Sequence, residues 1–156
     1  MTKQKVYTLY SDPGHGWLAV KAVELKELGI LEKITSYSYM RGETVYLEED
    51  CDLSTFFEAY RAKFGVNPSY KHKITKGSNP SAIRNYQSFD PEFAILPEIK
   101  TGQKWNLGSM GDFEIEEIQG VKIYLKRGIS KYRISKNNFF SYRPSLVEDV
   151  KEEEES

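Results

Sequence analysis

Five short segments in the first half of the chain are rich in β-branched and aromatic residues, and this pattern predicts β-strands. The segments are residues 6–10, 17–20, 34–39, 44–47 and 70–75. Turn-forming residues separate the first two strands at 11–16 and the next two at 40–43. The sequence therefore predicts two hairpins, with one further strand after them.

Two segments follow the helical period instead. Apolar residues recur three and four positions apart within 21–28 and 53–64, and a glycine suited to a left-handed cap follows each segment. Asp52 precedes the second segment and is expected to be its N-cap. Because each predicted helix follows a predicted hairpin, we expect a ββα-ββα-type unit of the α+β class over residues 1–88.

The second half of the chain has a different pattern. Short alternating runs at 113–118, 121–126 and 131–135 predict antiparallel strands, and no run there follows the helical period. We expect a small SH3-like β-barrel over residues 92–145. Residues 146–156 are acidic and almost without apolar groups, which predicts a disordered tail.

The composition excludes several classes of protein. A single cysteine, Cys51, excludes an internal disulfide and a zinc site built from several thiolates. The apolar runs are too short to cross a bilayer, and no lipidation motif is present, so no membrane partner is expected. No motif indicates a small-molecule cofactor. We expect a non-enzymatic protein of the cytoplasm.

The overall charge conceals an uneven distribution. The chain has 22 Lys and Arg against 23 Asp and Glu, yet residues 99–147 carry nine basic residues against four acidic ones. Residues 148–156 carry six acidic residues and one lysine. The near-neutral total is therefore a cancellation between a basic segment and an acidic tail, and we expect the tail to compete with anionic ligands.

Basic and aromatic residues interleave between positions 121 and 143, where no acidic residue occurs. Cations bind phosphates and rings stack on bases, so this pattern predicts contact with DNA or RNA. The alternative is a solvated strand face whose aromatic residues serve the core. The expected nucleic-acid-binding residues are Lys122, Tyr124, Lys126, Arg127, Lys131, Tyr132, Arg133, Lys136 and Arg143.

The hypothesis ranked third is a metal-dependent hydrolase or nuclease. Its residues would be carboxylates and one imidazole, the ligands that suit Mg²⁺ or Mn²⁺: Asp12, His15, Glu48, Glu49 and Asp50. A glycine-rich turn beside an acidic helix start explains the same residues more simply. The sequence alone therefore assigns no catalytic residue and no metal ligand.

The hypothesis ranked second, and the main alternative to nucleic-acid binding, is binding to a protein partner. Tyr37, Tyr39 and Tyr46 are of the residue type that is enriched at interface hot spots. Cross-strand pairing in a hairpin favours aromatic residues equally well.

Residues 11–18 and 37–52 resemble segments of small uncharacterised proteins encoded by bacteriophages and bacterial mobile elements. The resemblance covers about the first 65 residues. It implies a setting in the cytoplasm of a bacterial host, where the partner would be nucleic acid or a host protein, such as a defence or transcription factor, that the protein would inhibit. It assigns no residue a role.

Overall fold

The computed structural model describes residues 4–95 and 98–150. The chain divides into two compact units, Met1–Ile95 and Leu96–Ser156. The protein is a mixed α+β chain, as the sequence predicts, and it contains more strand than helix. Within the described residues, no helix is both long and apolar enough to cross a membrane.

The N-terminal unit contains one six-stranded sheet with the strand order β5-β1-β2-β4-β3-β6. β1 and β5 run parallel, and the other neighbouring strands run antiparallel. The strands are β1 Val6–Ser11, β2 Gly16–Lys21, β3 Tyr39–Arg41, β4 Thr44–Glu48, β5 Ser69–Ile74 and β6 Gln87–Ser88. The helices are α1 Ala22–Glu27, α2 Leu53–Phe64 and α3 Pro91–Ala94.

One face of this sheet packs against the helices. The inward residues of β1, β2 and β4 form a buried cluster with Leu25 of α1 and with Phe56 and Tyr60 of α2. Because successive strand residues point to opposite faces, the outward positions of the same strands form a second surface. This second face carries Tyr10, Trp17 and Tyr46 rather than small polar residues.

The predicted helix over 53–64 is confirmed with its exact bounds, and Gly65 ends it in the left-handed conformation at φ 74°. The strand predicted at 34–39 is wrong. A 3₁₀ turn occupies Leu31–Lys33, and the strand is limited to Tyr39–Arg41. Residues 34–38 are held in another way, by the carboxylate of Asp52.

Asp52 occupies the N-cap position of α2, but its side chain does not cap the helix as predicted. The carboxylate is completely buried and accepts hydrogen bonds from the Thr35 amide at 3.0 Å, the Thr35 hydroxyl at 2.8 Å and the Ser38 hydroxyl. The Thr35 amide is therefore not available to a strand ladder, which explains why residues 34–38 are irregular.

The C-terminal unit contains a second sheet, with the order β10-β9-β8-β7-β11 and antiparallel pairing throughout. The strands are β7 Lys104–Asn106, β8 Asp112–Gln119, β9 Lys122–Arg127, β10 Ser130–Ser135 and β11 Ser145–Glu148. A helix, α4, spans Lys136–Ser141. The hydrophobic core of the C-terminal unit includes Trp105, Phe113 and Phe139.

Three expectations for this unit need correction. The two edge strands of the described sheet are not paired with each other, so the sheet is open and the SH3-like barrel is not found. A helix is present, because Ser135 caps the Asn138 amide and α4 buries Phe139 against Trp105. Residues 146–148 of the predicted tail belong to β11, while 151–156 lie outside the described residues.

We expect Asp52→Ala to lower the free energy of unfolding by about 2–3 kcal/mol, because it leaves three donors of Thr35 and Ser38 without their acceptor. Glu58→Ala, at an exposed position of α2, is the control and should change stability by less than about 0.5 kcal/mol. Urea denaturation of both variants measures the difference. Equal stabilities would show that the Asp52 network does not hold residues 35–38.

Candidate functional site

Five of the nine predicted nucleic-acid-binding residues share the outer face of β9 and β10. Along β9 the buried residues Ile123 and Leu125 alternate with outward ones, and the β10 partners of those outward positions also point outward. The register pairs Tyr124 with Arg133 and Lys126 with Lys131. We call this set the C-terminal basic face: Lys122, Tyr124, Lys126, Lys131 and Arg133.

The other four predicted residues lie elsewhere in the same unit. The guanidinium of Arg127 lies 4.8 Å from the centre of the Phe113 ring and donates to the carbonyl oxygen of Met110 at 2.6 Å. Tyr132 contacts the edge of Phe113 at 5.4 Å between ring centres. Lys136 begins α4, and Arg143 follows α4 with a positive φ of 50°. The structure therefore does not bring all nine into one surface.

Strand β8 places acidic residues beside the C-terminal basic face. Glu114 forms an ion pair with Lys126 at 3.1 Å, and Glu116 forms one with Lys131 at 2.8 Å. The carboxylate of Glu116 raises the pKa of Lys131 above its ordinary value. Residues 121–143 therefore include no acidic residue, but in the folded protein two glutamates of β8 lie against their lysines. Among the described residues, Lys122 and Arg133 form no ion pair.

In the N-terminal unit, the carboxylate of Asp12 is engaged in structural contacts. Its carboxylate is 1% exposed and forms a two-pronged ion pair with Arg84, with distances of 2.6 and 2.8 Å. It also accepts hydrogen bonds from the amides of Gly14, His15 and Ser81. The Arg84 guanidinium, helped by these amides, holds the pKa of Asp12 well below its usual range. Asp12 is therefore no candidate metal ligand or general base.

The structure does bring together the other four residues of the hydrolase hypothesis. One nitrogen or oxygen atom from each of His15, Glu48, Glu49 and Asp50 lies within 4.8 Å of the others. Glu48 is buried, and its Oε2 accepts from the amides of Asp50 and Cys51 at 2.9 Å. Its Oε1 lies 3.1 Å from His15 Nδ1. One imidazole with three carboxylates is a donor set that Mn²⁺ or Zn²⁺ accepts.

Burial raises the pKa of Glu48, but the bonds from Cys51, His15 and the two amides outweigh burial and leave the pKa below its ordinary value. An ionised carboxylate only accepts hydrogen bonds, so Nδ1 of His15 carries the proton in this contact. The Glu48 carboxylate also raises the pKa of the Cys51 thiol. Cys51 is therefore not an activated nucleophile.

The sequence analysis missed one surface. Tyr10, Trp17, Tyr39, Tyr46 and Tyr86 line the outer side of the N-terminal sheet, and we call this set the aromatic face. The signal available in the sequence was aromatic side chains at outward strand positions, where a solvated sheet carries polar ones. Tyr39 and Tyr46, predicted for a protein interface, belong to this face, whereas Tyr37 is 70% exposed.

Asp12→Asn should make the stability of the protein less dependent on pH in acid. The folded-state pKa of Asp12 lies below its unfolded value, so the contribution of its charge is present above about pH 4 and is lost as the pH falls further. We therefore expect the variant to take up about one proton less on unfolding between roughly pH 5 and 2.5. Urea denaturation across that range gives the free energy of unfolding at each pH. Glu58→Gln is the control. Parallel curves of this free energy against pH for Asp12→Asn and the unmodified chain would contradict the prediction.

Comparison with protein-family models, curated proteins and solved structures finds no match to this chain.

Proposed function

We propose that the protein binds nucleic acid without catalysing a reaction on it. The observation that carries this proposal is the C-terminal basic face, where four cations and Tyr124 lie on one side of two paired strands. Phosphate contacts require cations in a fixed arrangement, and a hairpin supplies one. The side chain of Tyr124, half-buried between these cations, offers a ring edge to a base or sugar.

The size of the face limits how many phosphates it can contact. Lys122 and Lys126 are four residues apart along β9, which is about 13 Å in a strand. Each strand of duplex DNA carries one phosphate per ~3.4 Å of the helix axis, so this face spans about four phosphates of one strand. The ion pairs of Lys126 and Lys131 with β8 reduce the available charge further. We therefore expect moderate affinity that falls strongly with salt.

Two observations make the other hypotheses weaker. The hydrolase hypothesis loses Asp12, whose carboxylate is held by Arg84. The three tyrosines of the host-protein hypothesis do not form one patch: Tyr39 and Tyr46 belong to the aromatic face, whereas Tyr37 is 70% exposed and, among the described residues, has no ring contact with them. Binding in a bacterial host cytoplasm remains the setting that we propose.

The predicted competition by the acidic tail applies to fewer residues than the sequence indicated. Glu148 forms an ion pair with Lys104 at 3.1 Å, and Asp149 accepts from the side chain of Gln103 at 2.9 Å. These two acids are therefore engaged in the C-terminal unit itself. The four glutamates at 152–155 carry the remaining negative charge of the tail, and they lie outside the described residues.

The pair of variants Lys122→Gln and Arg133→Gln, made together, tests the proposal because neither cation forms an ion pair among the described residues. We expect a loss of about tenfold in affinity for a labelled duplex or single strand at roughly 50 mM salt. The plot of log affinity against log salt should become shallower by about 2. Glu116→Gln frees Lys131 and should act in the opposite direction, strengthening binding.

A matched control removes two exposed lysines of the N-terminal unit, Lys26 and Lys33, and so changes the net charge equally. Fluorescence anisotropy across a salt series compares four proteins: the unmodified chain, the double variant, Glu116→Gln and this control. An equal loss in the control would show that only net charge matters. No binding by the unmodified protein, even at low salt, would remove the proposal.

A further inference from the structure

The outer side of the N-terminal sheet carries two groups of contacting rings. Tyr10 on β1 lies 6.0 Å from Tyr46 on β4, and Tyr46 lies 5.2 Å from Tyr86, which directly precedes β6. Trp17 on β2 lies 6.3 Å from Tyr39 on β3. The interplanar angles of 57–63° hold the rings edge against face, so each ring is positioned by its neighbours.

Cations lie over three of these rings. Lys73 is 5.6 Å from the centre of Tyr10, Arg84 is 5.3 Å from that of Trp17, and Arg41 is 5.0 Å from that of Tyr86. Arg84 is neutralised by Asp12. Arg41 and Lys73 form no ion pair among the described residues, and Lys71 joins them on this side because its register partner Thr8 points outward like Tyr10.

The aromatic face contains one buried donor without an acceptor. Trp17 is only 1% exposed, and its Nε1 has no hydrogen-bond partner in the described part of the chain. A buried donor without an acceptor costs free energy. The nearest acidic strand position, Glu48, is already engaged by His15 and two backbone amides. A ligand that complements this face must supply acceptors, negative charge and flat apolar groups.

We propose that the aromatic face binds single-stranded nucleic acid through its bases. A single strand combines negative phosphates, carbonyl and ring-nitrogen acceptors, and exposed base faces that stack on aromatic side chains. A duplex presents only base edges and backbone, so it leaves the rings unused. The inference rests on the proposed function for the class of ligand, but on none of the residues of the C-terminal basic face.

The dimensions of the sheet set the length of strand that fits. β1, β2, β4 and β3 are neighbours, so the rings from Tyr10 to Tyr39 extend over three strand spacings, about 14 Å at ~4.8 Å each. That distance accommodates about two to four nucleotides, at or below the lower end of the ~4–16 nucleotides that single-strand-binding domains cover. Lys71 and Lys73 on β5 then provide phosphate contacts at one end.

The test uses the full chain and compares Tyr86→Leu with Tyr86→Phe. Leucine removes the ring that a base would contact, whereas phenylalanine keeps it, and Tyr37→Leu changes an exposed tyrosine outside the aromatic face. The probes are a labelled oligothymidine of about 12 nucleotides and a duplex of equal length. Anisotropy titrations give each affinity, and thermal unfolding monitors whether each variant is folded.

We expect the unmodified protein to bind the single strand at least about tenfold more tightly than the duplex. Tyr86→Leu should weaken single-strand binding by about 5- to 100-fold and leave duplex binding unchanged. Tyr86→Phe and Tyr37→Leu should each stay within about threefold of the unmodified protein. Single-strand affinity that survives in a folded Tyr86→Leu protein, or an equal loss for both probes, overturns the inference.

A second measurement keeps the inference testable if the leucine variant does not fold. Ultraviolet crosslinking of the unmodified protein to the oligothymidine, followed by peptide mass spectrometry, should modify peptides that contain Tyr39, Tyr46 or Tyr86. Crosslinks confined to residues 122–143 would overturn this inference and leave the proposed function standing. If the Lys122→Gln, Arg133→Gln double variant binds normally while Tyr86→Leu does not, the inference on the aromatic face stands and the proposal for the C-terminal basic face falls. If the unmodified protein binds neither probe, both proposals fall.

Discussion

The ion pair between Asp12 and Arg84 joins segments that are 72 residues apart in the chain. Through it the β1–β2 turn is fixed to the 3₁₀ turn Ala82–Asn85, because the same carboxylate accepts from amides of both segments. Arg84 reaches Asp12 while its guanidinium lies over Trp17. Tyr86, two residues later, then packs on Tyr46. His15 with its carboxylate neighbours and the aromatic face both depend on this one contact.

Local periodicity was sufficient for the elements whose stability is local. Helix α2 follows from the spacing of its apolar residues and from Gly65, and both are properties of consecutive positions. The segment 34–38 and helix α4 did not follow, because each depends on a distant partner. Asp52 takes the Thr35 amide from 17 residues away, and Phe139 is buried against Trp105, 34 positions earlier in the chain.

The candidate sites show the same division. The alternation along β9 correctly separated Lys122, Tyr124 and Lys126 from the buried residues. The sequence could not show that β8 places Glu114 and Glu116 against Lys126 and Lys131, since strand register is set by pairing and by a bulge after Ile115. Nor could it show that Tyr46 meets Tyr86, because 40 residues separate them and only the sheet order β4-β3-β6 brings them together.

Strand β5 lies at the edge of the N-terminal sheet with all six of its residues exposed. An exposed strand edge is a template on which another chain can add a strand, and lysines along the edge oppose this because like charges would meet. Lys71 and Lys73 thus oppose edge pairing between copies of the protein, and they lie on the same side of the sheet as Tyr10. Under the proposed binding of single-stranded nucleic acid, affinity and resistance to aggregation are coupled at this edge, because a ligand that neutralises these lysines also removes the repulsion between neighbouring copies.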